Sequence, residues 1–166
     1  MILRTVVPAD KRSKGFYIDQ VSSLPNACGT IALLHAITNN EARLGVSADS
    51  PVGRFKANGE QLTPTERGQL LDTFAEIKSS HNDMVLQGDT APIESDNVVH
   101  HYVCLTEIDG NVVEFDGSRK DAPYNHGSIP AGSSFLAAAA EVVKTQFFAR
   151  SDATDFALLA ASVSQD

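Results

Sequence analysis

Two cysteines and five histidines are the residues of this chain best suited to covalent chemistry. Cys28 stands in Asn26-Ala27-Cys28-Gly29-Thr30, directly ahead of the helix-forming run 31–37. That places a thiol on the first turn of a helix. Backbone N–H groups there lack intrahelical partners, and the helix dipole favours an anion. A thiol in such a position ionises more readily, and the thiolate is the reactive nucleophile. It needs a base, usually an imidazole, and a third group that holds the imidazole in place.

The candidate bases are His35, His81, His100, His101 and His126. His35 follows Cys28 on the same helix, but a seven-residue offset separates them by about 10 Å along the axis. It reads as a hydrogen-bonded core residue. The stretch around Asp109-Gly110 allows a sharper selection. Asp-Gly between two apolar runs is a strong hairpin signal. With a two-residue loop, Ile108 pairs with Asn111, and Val103 faces Asp116. Alternate strand residues share a face, so His101 lies on the side of Val103 and diagonal to Asp116. Diagonal neighbours are roughly 7–8 Å apart at the backbone, a gap that His and Asp side chains can close. His100 points the other way. Cys104 also falls on the face opposite His101 and reads as a small buried hydrophobe.

Acyl chemistry further requires donors for an oxyanion. The N–H of Cys28 is one candidate. A side-chain amide upstream is a second, and Gln20, at the end of the preceding strand-like segment, fits that role. Asn26 competes for it, but its position favours capping the helix.

These groups need elements to position them. Residues 2–7 and 16–21 read as short strands around the polar turn 9–15. Residues 27–38 form a helix with apolar or small residues on every side, so it is expected to be buried all round. Ser50-Pro51 marks a short helix start. Thr63-Pro64-Thr65-Glu66 combines an N-cap, a proline at the first helical position and a capping box, and predicts a helix to about residue 78. Residues 79–97 show neither period and read as a long loop, of a kind that tends to be functional. Residues 99–108 and 111–116 are the hairpin strands, and 122–131 a loop. Residues 134–149 are an Ala-rich helix, and 156–163 a closing buried strand. The pattern is α+β, or mixed α/β, with the Cys28 helix at its centre.

At 166 residues the chain suits one domain, taken as 1–166. Hydrophobic content of 42% and charged content of 20% are those of a globular protein. No apolar run is long enough to span a bilayer, and residues 1–8 lack the pattern of a signal peptide. Two cysteines without a secretory context suggest free thiols in the cytoplasm or nucleus. A formal charge of −8 argues against nucleic acid and suits a basic protein partner. Zinc-type ligand spacing and a phosphate-cradling glycine loop are both lacking, so no metal or other cofactor is expected.

The string from Gln20 to Asn40 resembles the nucleophile segment of the ubiquitin carboxyl-terminal hydrolases. His101-Tyr-Val-Cys-Leu105, then Asp109-Gly110 and Glu114-Phe-Asp116-Gly117, resembles that family's second motif. Asn125-His126-Gly127 and Thr63-Pro-Thr-Glu-Arg67 match as well, and the resemblance covers about residues 16–163. It implies a papain-like cysteine peptidase fold, largely antiparallel sheet packed with helices. It implies an enzyme, a deubiquitinase that releases small adducts or short peptides from the C-terminal glycine of ubiquitin. Cys28 would be the nucleophile, His101 the base, Asp116 the orienter and Gln20 the oxyanion donor. Residues 79–97 would be the loop past which the leaving chain must move. Ubiquitin, or a ubiquitin-like protein, is the implied partner, and a monomer is expected. The chain departs from the pattern in two ways. Gln20 stands eight residues before Cys28, and Ser22 occupies the family's usual glutamine place. Family members also carry further N-terminal residues. These departures leave a ubiquitin-binding module with impaired catalysis as the alternative, and a cysteine acyltransferase or peptidase for another small substrate as a third reading.

Overall fold

Local signals account for most of the helices. The computed structural model describes residues 6–23, 26–87, 101–119, 122–150 and 156–162. Helix α1 spans Cys28–Thr38, and the short α2 follows at Glu41–Leu44. Ser50 caps α3 (Pro51–Gly59) by accepting from the N–H of Gly53. Thr63 caps α4 (Pro64–Thr73), and the reciprocal bond from its own N–H to Glu66 completes the capping box. The helix does not continue to residue 78. Phe74 adopts an extended conformation, its ring meets Phe55 edge to face, and a separate helix α5 begins at Ala75 and runs to Gln87. The expected loop 79–97 is therefore helical through residue 87, while 88–97 lie outside the described residues. Burying an aromatic ring outweighs the cost of one interrupted turn here.

The hairpin matches its sequence signal. Strands β1 (Cys104–Ile108) and β2 (Asn111–Phe115) pair antiparallel from Ile108↔Asn111 to Cys104↔Phe115. Asp109 and Gly110 both adopt positive φ, 50° and 72°, as the tight turn requires. The stretch 122–131, expected as a loop, instead carries a third strand, β3 (Tyr124–Ser128), on the outer edge of β2. Its prolines and glycines concealed it. Pro123 sits just before the strand, and a register shift between Val112 and Val113 accommodates the irregular pairing.

Two expected strands are not strands. Residues 16–21 run extended and buried, yet their N–H groups bond outside any ladder: Phe16 to Asn39 Oδ1 at 2.8 Å, Ile18 to His35 Nε2 at 2.9 Å, Asp19 to Pro64 O at 3.0 Å and Gln20 to Gly117 O at 2.8 Å. The apolar alternation is real, but it serves two cores rather than one sheet face. Phe16 and Ile18 join Ile31, Leu34, Phe55, Leu71 and Ile77 among the helices. Tyr17 turns the other way, toward Cys104, Val113 and Phe115 of the hairpin. Residues 156–162 have no regular structure and are exposed, so the expected closing strand is absent there. Of the expected strand 2–7, residues 2–5 lie outside the described residues, and Val6–Val7 belong to none of the three strands.

Helix α1 thus lies between two clusters, helices α3, α4 and α5 on one side and the hairpin on the other. It is not buried all round, because Leu33 is 56% exposed. The Ala-rich segment forms α6 (Phe135–Val142), capped by Ser134, and continues as a π turn and a 3₁₀ turn to Arg150. It packs on β1 and β2. Helices and an antiparallel sheet make an α+β fold, as expected.

Candidate active site

Cys28 is the first residue of α1, and Ala27 precedes it as N-cap with no side chain able to accept a hydrogen bond. Asn26 does not cap the helix. It lies one residue too early, is exposed and has a positive φ of 58°. The first N–H groups of a helix lack intrahelical partners, which is the arrangement an oxyanion needs.

The hairpin delivers the second half. The ladder ends at Cys104↔Phe115, so His101 and Asp116 sit just beyond it rather than inside the strands. They nonetheless meet. His101 Nε2 lies 2.6 Å from Asp116 Oδ1. The other ring nitrogen is left for Cys28, whose thiol lies close enough to the imidazole for the two groups to shift each other's ionisation. Asp116 is 8% exposed, and Oδ1 also accepts from the N–H of Ser118 at 2.9 Å and its hydroxyl at 2.7 Å.

The electrostatics follow from these contacts. Burial pushes the Cys28 thiol up, but hydrogen bonds from His101 and the backbone N–H groups of Tyr102 and Gly29, with the imidazolium charge, bring it below its ordinary value. His101 is raised to about 10, first by its bond to Asp116 and then by its bond to Cys28, against an opposing effect of burial. Burial also pushes Asp116 up, yet His101 and Ser118 hold it down at about 2. Both shifts run toward a thiolate beside an imidazolium, steadied by a carboxylate. That is the resting form of a cysteine nucleophile with an attached general acid and base.

Gln20 comes alongside this site by its backbone, bonded to the residue after Asp116. Gly117 allows the approach. A Cβ there would sit 3.0 Å from Ile31 Cγ2, 3.1 Å from Ile18 O and 3.3 Å from Gln20 N. Tyr102, half-exposed, lays its ring over Gly29 at the start of α1. The remaining candidates lie elsewhere. His35 is fully buried and accepts from Ile18. His81 bonds Thr30 at 2.7 Å, and Cys104 is buried in the core beside Tyr17 and Phe115. His100 lies outside the described residues. Sequence reasoning missed Ser118 and Tyr17, whose hydroxyl donates to the carbonyl of Asp116. The Asp-Gly-Ser order was an available signal for a side-chain-closed turn. Nothing local pointed to Tyr17.

The family model for ubiquitin carboxyl-terminal hydrolase, family 1, matches residues 5–148. This chain belongs to that family. Among similar members, a ubiquitin carboxyl-terminal hydrolase of Aplysia californica is 40% identical over 129 residues, covering 77% of this chain and 59% of the relative. Ubiquitin carboxyl-terminal hydrolase 3 of Arabidopsis thaliana is 37% identical over 138 residues, covering 82% and 57%. The chain therefore spans less than two thirds of the length of these relatives. The fold is also that of a family member of known structure. The UCH37 catalytic domain of Trichinella spiralis, solved bound to ubiquitin vinyl methyl ester, superposes with a TM-score of 0.69 at 22% identity, over 86% of this chain and 60% of that one.

Proposed function

We propose that the protein is a cysteine-type ubiquitinyl hydrolase that releases small adducts or short peptides from the C-terminal glycine of ubiquitin. The observation that carries this reading is the convergence of Cys28, His101 and Asp116 in a chain of this family. The Cys28 thiolate attacks the carbonyl of the last glycine, forming the carbon–sulfur bond. The N–H of Cys28 and the side-chain amide of Gln20 receive the oxyanion. The His101 imidazolium gives its proton to the leaving amine as the amide breaks. It then takes a proton from water, which adds to the thioester and releases the thiol and a free carboxylate. Asp116 holds the ring throughout. Ubiquitin is the partner in this reading, with an acidic chain of formal charge −8 favouring approach of a basic surface. In this reading the protein is a single catalytic domain working as a monomer, and its two free thiols suit the cytoplasm or nucleus.

The test is release of a fluorophore from a ubiquitin C-terminal amide, with labelling by a ubiquitin vinyl electrophile. Cys28→Ser should abolish both. Gln20→Ala should lower kcat by about a hundredfold if its amide holds the oxyanion. Ubiquitin binding by wild type without turnover or labelling would leave only a binding module.

A further inference from the structure

A second cluster of polar side chains stands behind the triad, drawn from β2, β3 and the turn that follows β2. The Glu114 side chain is 1% exposed and lies between Arg119 and His126. Its Oε1 is 2.7 Å from Arg119 Nη2, and its Oε2 is 2.7 Å from His126 Nε2, with the His126 side chain 7% exposed. The Arg119 guanidinium also lies 5.1 Å from the centre of the Tyr124 ring. Its Nε reaches the catalytic carboxylate itself, 3.5 Å from Asp116 Oδ2. One side chain thus connects β2, β3 and the turn that carries Asp116.

The geometry of that turn shows what the connection does. The N–H of Arg119 closes it on Asp116 O at 2.9 Å, and the Tyr17 hydroxyl approaches both Asp116 O and Arg119 O. Asp116 Oδ1 takes its bonds from His101 and Ser118, while Oδ2 faces Arg119. The terminal torsion of an aspartate is broad and roughly two-fold, so bonds to one oxygen leave the plane of the carboxylate loosely defined. Ser118 moves with the turn and cannot fix it against the rest of the protein. Arg119 can, because its ion pair with Glu114 ties it to the sheet and His126 in turn holds Glu114.

We propose that Glu114, Arg119 and His126 form a clamp that fixes the 116–119 turn and so aims the Asp116 carboxylate at His101. They are positioning residues that touch no reacting atom. The proposal rests on Asp116 orienting His101 in the hydrolase reading. It also gives a task to His126, which takes no part in the triad.

Arg119→Gln, Arg119→Lys and His126→Gln in the full chain test it, because Arg119 is partly exposed and its variants should fold. Two measurements decide. The first is kcat and KM on a ubiquitin C-terminal fluorogenic amide. The second is the far-downfield proton resonance expected from the 2.6 Å His101–Asp116 hydrogen bond. Arg119→Gln should lower kcat about tenfold to a hundredfold and broaden the resonance, with KM within about twofold of wild type. Arg119→Lys should restore part of both, and His126→Gln should fall between. Wild-type kcat with a sharp resonance in Arg119→Gln would overturn the clamp. So would a loss that Lys does not relieve and that only tracks a lower Tm. The resonance is read without ubiquitin, so it decides the clamp even if wild type fails to cut the ubiquitin amide.

Discussion

The chain places one cysteine and one histidine in the core beside Phe115 and another cysteine and histidine at the site, under opposite electrostatic control. In the core, Cys104 is pushed up to about 12 by burial, and His35 is driven down to about 3, again by burial first. His35 stacks on Tyr17 at 5.3 Å between ring centroids and accepts the Ile18 N–H, a bond that only the neutral ring can make. Both groups are held uncharged. In the site, Cys28 and His101 are also partly buried, yet each is drawn toward its charged form. The difference is a counter-charge within hydrogen-bond reach. Asp116 supplies it for His101, and His101 for Cys28. Burial alone silences these groups, whereas burial with a partner arms them.

Exchanging the two cysteines tests this most directly. Cys28→Ala should reduce hydrolysis of a ubiquitin C-terminal amide by at least about a thousandfold. Cys104→Ala should leave kcat near wild type and cost roughly 1 kcal/mol of stability in urea unfolding. The reverse pattern would remove Cys28 as nucleophile. The histidines come next. His101→Gln should lose nearly all activity while remaining folded. His35→Gln should lose about 2–3 kcal/mol of stability, because it disturbs a buried hydrogen bond and a ring stack, yet keep its turnover per folded molecule. His100→Ala should stay active, and its inactivation in place of His101→Ala would overturn the register argument.

An effect of opposite sign in the two regions should appear in stability against pH. His35 has a depressed pKa in the folded state, so below the unfolded value of about 6.5 the unfolded chain binds the extra proton. Stability should fall as pH drops from about 6.5 toward 3, by at most about 1.4 kcal/mol per pH unit from this group. His101 has a raised pKa, so its contribution is full below about 6.5 and is lost as pH rises through about 10. Unfolding curves from pH 4 to 10 should lose their acid slope in His35→Gln and part of their alkaline slope in His101→Gln. If both variants change the same limb, the two regions are not under opposite electrostatic control. The smallest effect lies outside both regions. Thr63→Ala removes the α4 cap and should cost about 1 kcal/mol in thermal unfolding without changing kcat.

Legibility from sequence followed the range of the interaction concerned. The caps at Ser50, Thr63 and Ser134 and the Asp109-Gly110 turn bond within three residues, so their signals sit in adjacent letters. The turn also set the hairpin register, and that register brought His101 to Asp116 although neither proved to lie in a strand. Segment 16–21 misled because alternating apolar residues also describe an extended chain buried between two clusters. Its N–H partners, His35, Asn39, Pro64 and Gly117, are scattered through the sequence. β3 was hidden by prolines and glycines that suit an edge strand with a register shift.

By itself the sequence determined a thiol at a helix start, an imidazole and a carboxylate on one side of a hairpin, and the caps and turn that place them. Short-range hydrogen bonding and strand alternation need no further information. Only the tertiary structure decided that the helix and the hairpin meet with Cys28 against His101. It alone seated His35 and Cys104 in the core, and gathered Glu114, Arg119 and His126 behind Asp116. Those outcomes depend on packing between segments far apart in the chain. Whether an ionisable group ends up charged is settled by its neighbours in space, whatever their distance along the chain.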